Sequence, residues 1–90
     1  MARLSDAEIE SRLRRLAGWE RRGDEIRRTF SFPDFAGALA FVNRVGKLAE
    51  AMTHHPDIDI RYSRVTLALT THDAGGLTAN DFDLAEKIGG

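Results

Sequence analysis

The sequence predicts an α+β fold: one antiparallel four-stranded sheet with three helices packed on one face, in the order α-β-β-α-β-β-α. Two pairs of strand-like runs, three of them alternating in residue type, are joined by short turns, as hairpins are. Three other segments repeat apolar residues at helical spacing, the longest from Phe35 to Met52. Strands that arrive as hairpins pair antiparallel, and such a sheet covers one face while the other meets water. The 90 residues fit a single domain, 1–90, with room for one modest core. So short a chain buries a small share of its surface, which makes self-association a natural source of added stability.

The first helix is announced by Leu4-Ser5-Asp6-Ala7-Glu8-Ile9: Ser5 caps, Glu8 completes a capping box, and Leu4 staples onto Ile9. Ile9, Leu13 and Leu16 form its stripe, and Gly18 suits its end. Trp19 to Arg22 and Glu25 to Phe32 read as a hairpin about Gly23-Asp24, with Ile26, Phe30 and Phe32 on one parity. Arg22-Gly23-Asp24 spells an adhesion tripeptide, but between two strands it reads as a plain turn.

Pro33 and Asp34 then open the long helix. Phe35, Ala38, Leu39, Val42, Val45 and Ala49 make one face, widened by Phe41, Leu48 and Met52. That arc exceeds what one sheet face needs, so the helix has either a second partner, such as its copy in another subunit, or a central buried position. His55-Pro56 ends it, because the residue before a proline is driven to extended conformations. Ile58, Ile60 and Tyr62 alternate with Asp57, Asp59 and Arg61; after a turn near Ser63-Arg64, Val65, Leu67 and Leu69 give the partner strand its apolar face. Thr78 caps the last helix, with Leu77 and Phe82 at the staple positions.

Composition excludes several classes of function. Without cysteine there is no disulfide scaffold, thiolate metal site or cysteine nucleophile. The N-terminal residues lack a signal-peptide core, and no stretch approaches the roughly 18 apolar residues of a membrane span, so a soluble cytoplasmic protein is expected. A net charge of -1 provides no field for nucleic acid or an anionic membrane.

The chemistry-bearing residues cluster in the second half. All three histidines lie at element ends, His54 and His55 in Thr53-His54-His55-Pro56 and His72 in Thr70-Thr71-His72-Asp73. Imidazole, with an unperturbed pKa of about 6.5, both gives and takes protons near neutrality. Glu50, four residues before His54, is expected on the same helix face, where a carboxylate fixes a tautomer and favours the imidazolium. Asp81 stands at the third position of the last helix, where it serves the helix dipole with or without a site. Two other readings stand beside acid-base work. In one, the histidines are polar groups at element ends, favoured by a helix C-terminus. In the other they form a zinc triad, against which adjacent His54 and His55 diverge once the helix breaks.

Taken together, Glu50, His54, His55, Pro56, Tyr62, His72 and Asp81 resemble the signature of the pterin-4a-carbinolamine dehydratases: an acidic residue, His-His-Pro, an aromatic, a third histidine and an aspartate. The spacings agree over some thirty residues, and the order of elements is similar to the family's α+β fold. The resemblance implies a lyase that dehydrates 4a-hydroxytetrahydrobiopterin, or a related 4a-hydroxytetrahydropterin, to quinonoid dihydropterin in tetrahydropterin recycling, with no metal and no cofactor. It implies His54 and His72 for proton transfer, His55 for holding the pterin, and Glu50 and Asp81 for supporting the imidazoles. It further implies that Pro56, Thr71 and Asp73 complete the substrate pocket with the histidines. The partners implied are the pterin and further copies of the chain, in a dimer or tetramer built on the Phe35–Met52 helix, with no nucleic acid or membrane. Animal members also serve as dimerisation cofactors of a homeodomain transcription factor, so a non-enzymatic interaction protein using that helix is the alternative.

Overall fold

The computed structural model describes residues 2–89 and contains the expected elements in the expected order. Helix α1 (Asp6–Leu13) is followed by strands β1 (Glu20–Arg22) and β2 (Glu25–Ser31). The long helix α2 (Phe35–Met52) leads into β3 (Asp57–Arg61) and β4 (Arg64–Leu69), then a 3-10 turn (His72–Ala74) and helix α3 (Ala79–Ile88). The four strands form one antiparallel sheet in the order β1-β2-β4-β3.

The local signals act as anticipated at the helix starts. Ser5 and Glu8 form a reciprocal capping box, and the backbone and hydroxyl of Ser5 hold the Glu8 carboxyl below its ordinary range. Asp34 caps α2 by accepting the Gly37 N–H at 2.8 Å. Helix α1 is shorter than its apolar stripe suggested, ending at Leu13, yet Leu16 still reaches the core from the turn that follows. Gly18 takes a left-handed φ of 88° there, and the Arg28 side chain packs where a Cβ would sit.

The non-local pairing of β2 with β4 joins the two hairpins, aligning Ile26 with Leu69 and Phe30 with Val65. That register places Ile26, Val65, Leu67 and Leu69 on one face, fully buried beneath the helices. Helix α2 contributes Ala38, Phe41, Val45 and Ala49, and α3 contributes Phe82, Leu84, Ala85 and Ile88. Arg44 of α2 and Arg28 of β2 tie down the end of α3 by donating to the carbonyls of Ile88 and Gly89.

The buried stripe of α2 corrects the expected face. Phe41, expected on its edge, is buried together with Ala38, Val45 and Ala49, with ring centroids 4.5 Å from Phe30 and 5.0 Å from Phe32. Phe35 and Leu39, expected inside, are exposed. The sheet is the reason: β2 supplies Phe30 and its continuation supplies Phe32, and this aromatic pair draws the helix round toward Phe41. The second hairpin turns one residue earlier than anticipated, at Tyr62-Ser63, with Tyr62 left-handed at φ 52° and exposed at the tip.

Candidate functional site

The site begins where α2 stops. Thr53 adopts φ 51° and ψ 44°, its N–H returns to the Glu50 carbonyl at 3.2 Å, and the N–H of His54 returns to Ala49 at 3.0 Å. These paired bonds close the helix through a left-handed residue, a position usually given to glycine. The reversal sends the two adjacent histidines in different directions. His54 is buried and His55 is exposed.

His54 Nε2 lies 2.5 Å from Asp81 Oδ1. The carboxylate of Asp81, fully buried, also accepts the Thr71 hydroxyl and the Thr78 backbone N–H on Oδ2, each at 2.9 Å. Capping and site-building are therefore one function of one side chain, with one oxygen closing the box of α3 and the other gripping the imidazole. Thr71 and Thr78 both donate to the carboxylate, and a proton on His54 Nε2 would complete the set of donors around it.

Glu50 does not meet His54, contrary to the i, i+4 expectation. It pairs with His55 Nε2 instead, on the exposed side of the helix end. The left-handed residue at 53 breaks the helical progression before His54, so helical spacing ceases to predict who faces whom. Each histidine of the pair thus has its own carboxylate, one buried and one at the surface.

His72 sits in the 3-10 turn after β4, exposed, with Asp73 beside it. Thr71 closes this loop at its base, exchanging backbone hydrogen bonds with Gly76 at 3.0 and 3.3 Å, while Gly75 makes the left-handed exit at φ 72°. A cleft of about 300 Å³ runs beside His72, lined by Arg22, Asp24, Glu25, Thr70, Gly75 and Gly76. The hairpin turn between β1 and β2, which reads from sequence as a bare connection, is thereby a wall next to a candidate catalytic residue. Thr78 likewise reads from sequence only as a cap, although its capping box already places its hydroxyl in the same turn as Asp81. Pro56 is partly buried between the histidine pair and β3. No cluster of three or more His, Asp or Glu residues able to hold a metal ion occurs among the described residues.

Fold and site together define a small α+β protein with two imidazole–carboxylate pairs, His54–Asp81 and His55–Glu50, at the end of its long helix. The comparisons identify the family. Residues 2–90 match the family model described as pterin 4 alpha carbinolamine dehydratase, and the chain belongs to that family. It is 67% identical over 86 residues to a protein of Roseiflexus sp. (strain RS-1), covering 96% of this chain and 92% of that one. A relative from Thermomicrobium roseum is 59% identical over 88 residues, covering 98% and 95%. Both are named, provisionally, as pterin-4-alpha-carbinolamine dehydratases. The crystal structure of a transcriptional coactivator/pterin dehydratase from Brucella melitensis superposes with a TM-score of 0.92 at 36% identity, covering 96% of this chain and 94% of that one. A pterin dehydratase-like RuBisCO assembly factor of the alpha-carboxysome shares the fold at a TM-score of 0.63 and 20% identity, over 78% of this chain and 81% of that one.

Proposed function

We propose that this chain dehydrates a 4a-hydroxytetrahydropterin to the quinonoid dihydropterin and water by histidine acid-base catalysis. The observation that supports the reading is the buried His54–Asp81 pair, in which a carboxylate held by the last helix lies against the imidazole at 2.5 Å. In the reaction the C4a–O bond breaks, the hydroxyl leaves as water after gaining a proton, and the lone pair of the adjacent ring nitrogen forms the new C=N bond. That nitrogen then gives up its proton. His54 accepts it at Nδ1, and Asp81 stabilises the resulting imidazolium through Nε2–H. His72, exposed on its turn, donates the proton to the departing hydroxyl and recovers one from solvent. His55, paired with Glu50, holds the pterin with the help of Pro56, Thr71 and Asp73, and the cleft beside His72 offers room next to the proton donor. The balance closes without an oxidant or a reductant.

The test is a stopped spectrophotometric assay on freshly generated 4a-hydroxytetrahydropterin, scored as the rate above the uncatalysed background. Acceleration that disappears in the His54→Ala/His72→Ala double variant supports the reading. A folded wild-type protein that leaves the background rate unchanged sinks it.

The same proposal includes self-association in the cytoplasm through the outer face of α2. Phe35 and Leu39 are 46% and 42% exposed, and Ile58 and Ile60 of the edge strand β3 are also exposed. An open groove of about 810 Å³ lies along this side, lined by Val42, Asn43, Gly46, Lys47, Glu50 and Ile58. Water-facing apolar side chains on a short domain are relieved by a second copy of the same surface, and a tetramer built around α2 brings four such faces together. Among the described residues no helix is long and apolar enough to cross a membrane.

A further inference from the structure

We infer that Thr71 is a positioning residue that locks the two imidazoles of the site to one another through its hydroxyl and its backbone. This inference rests on the acid-base reading of His54 and His72 and adds a residue whose hydroxyl is bonded to the buried Asp81 carboxylate. The resemblance places Thr71 among substrate-binding groups, but its hydroxyl is turned inward. Its Oγ1 donates to Asp81 Oδ2 at 2.9 Å and lies 2.8 Å from the Thr78 hydroxyl.

Proton counting fixes the direction of this chain. Each threonine hydroxyl has one proton. Thr71 spends its proton on the carboxylate, so the 2.8 Å contact is made by the Thr78 hydroxyl donating to Thr71. The Thr78 oxygen in turn accepts the Asn80 N–H at 3.3 Å. From the start of α3, polarity therefore runs Asn80 N–H to Thr78, Thr78 to Thr71, and Thr71 to Asp81, where it meets the His54 Nε2–H arriving from the other side. A carboxylate held by donors on both oxygens has neither a proton to pass nor freedom to rotate, and the His54 tautomer follows from it.

The backbone of the same residue sets the second imidazole. Thr71 carries both hydrogen bonds that close the loop to Gly76, and its carbonyl also accepts from Ala74, which fixes the turn presenting His72. His54 follows α2 and His72 follows β4, on two different elements. Thr71 is where the two paths meet, one side-chain bond from Asp81 and one peptide bond from His72.

The test compares Thr71→Val, which keeps the branched shape and backbone but loses the hydroxyl, with Thr71→Ser, which keeps the hydroxyl. Side-chain ¹⁵N NMR reads the His54 tautomer, and steady-state assays separate kcat from KM. Thr71→Val should lower kcat by roughly the 10- to 100-fold that loss of a histidine-orienting group costs at other sites, with KM little changed. It should also mix the His54 tautomers. Thr71→Ser should retain the Nε2–H tautomer and most of kcat. Equal losses in both variants, or a Thr71→Val protein with unchanged kcat and tautomer, would overturn the inference. Should Thr71→Val not fold, the wild-type spectrum still decides: His54 protonated on Nδ1 contradicts the chain of donors. His54→Ala is assayed alongside, so that an active His54→Ala removes the acid-base reading, whereas an inactive His54→Ala beside a normal Thr71→Val removes the role of Thr71 alone.

Discussion

His54 and Asp81, 27 residues apart in sequence, meet at 2.5 Å in the interior, and the oxygen that Asp81 does not give to His54 closes the capping box of α3. A stability device and a candidate catalytic device therefore share one carboxylate. Asp81→Asn should expose that sharing. An amide oriented to accept from His54 turns its NH₂ toward the Thr71 hydroxyl and the Thr78 N–H, donor against donor. We expect a loss of about 1–3 kcal/mol of stability together with a fall in turnover of roughly 10²-fold or more, read by urea denaturation and the dehydratase assay on the same preparation. Full stability with lost activity would separate the two roles.

The single histidine variants should differ in kind. His54→Ala and His72→Ala should each reduce kcat by roughly 10²- to 10⁴-fold, or less where the substrate dehydrates readily unaided. His55→Ala, which removes the exposed partner of Glu50, should act mainly on KM. Exhaustive chelation should leave the wild-type rate intact. A rate lost to chelator and restored by zinc would replace acid-base catalysis with a metal centre.

Thr53 gives a prediction about strain beside the site. A β-branched residue in the left-handed region is disfavoured by about 1–2 kcal/mol, and Thr53 occupies it to redirect His54. Thr53→Gly relieves the clash but adds unfolded-state freedom, costing about 0.5–1 kcal/mol. The net expectation is a stability gain of up to about 1 kcal/mol. Thermal unfolding checks it, and a lower melting temperature would mean that the threonine side chain makes compensating contacts.

Helix α2 separates interface from core by residue. Leu39→Asp, on the exposed face, should lower the molecular mass in light scattering while circular dichroism remains native. Phe41→Asp should instead unfold the chain, because Phe41 is enclosed by Phe30 and Phe32. The cost of truncating such a buried aromatic, about 3–5 kcal/mol even to alanine, sets the scale. A Leu39→Asp protein with the wild-type mass at every dilution would remove this face as the interface.

The capping box of α1 supplies a pH dependence with a definite sign. Ser5 depresses the Glu8 carboxyl below its ordinary value of 4.5, so the stabilisation is present above that value and is lost as pH falls through the lower folded-state value. Glu8→Ala should therefore lower the melting temperature near neutral pH, and the gap to wild type should narrow in acid. A gap independent of pH would assign the effect to helix propensity.

Local chemistry was legible wherever a signal and its consequence lie within a turn of one another. Ser5 with Glu8, Asp34, and Thr78 with Asp81 name their helix starts; alternation names three strands, and the Gly23-Asp24 turn the short first one; and the spacing of Glu50, His54, His55, Pro56, His72 and Asp81 names the family. The tertiary structure decided the partners. Glu50 lies four residues before His54, yet the left-handed Thr53 assigns Glu50 to His55 and leaves His54 for Asp81. Likewise the apolar arc of α2 admitted several buried centres until β2 brought Phe30 and Phe32 beside Phe41. Periodicity fixes which residues share a face of one element, but a single dihedral at a helix end or the register between distant strands determines what that face meets, because contacts between elements depend on the chain's path through space.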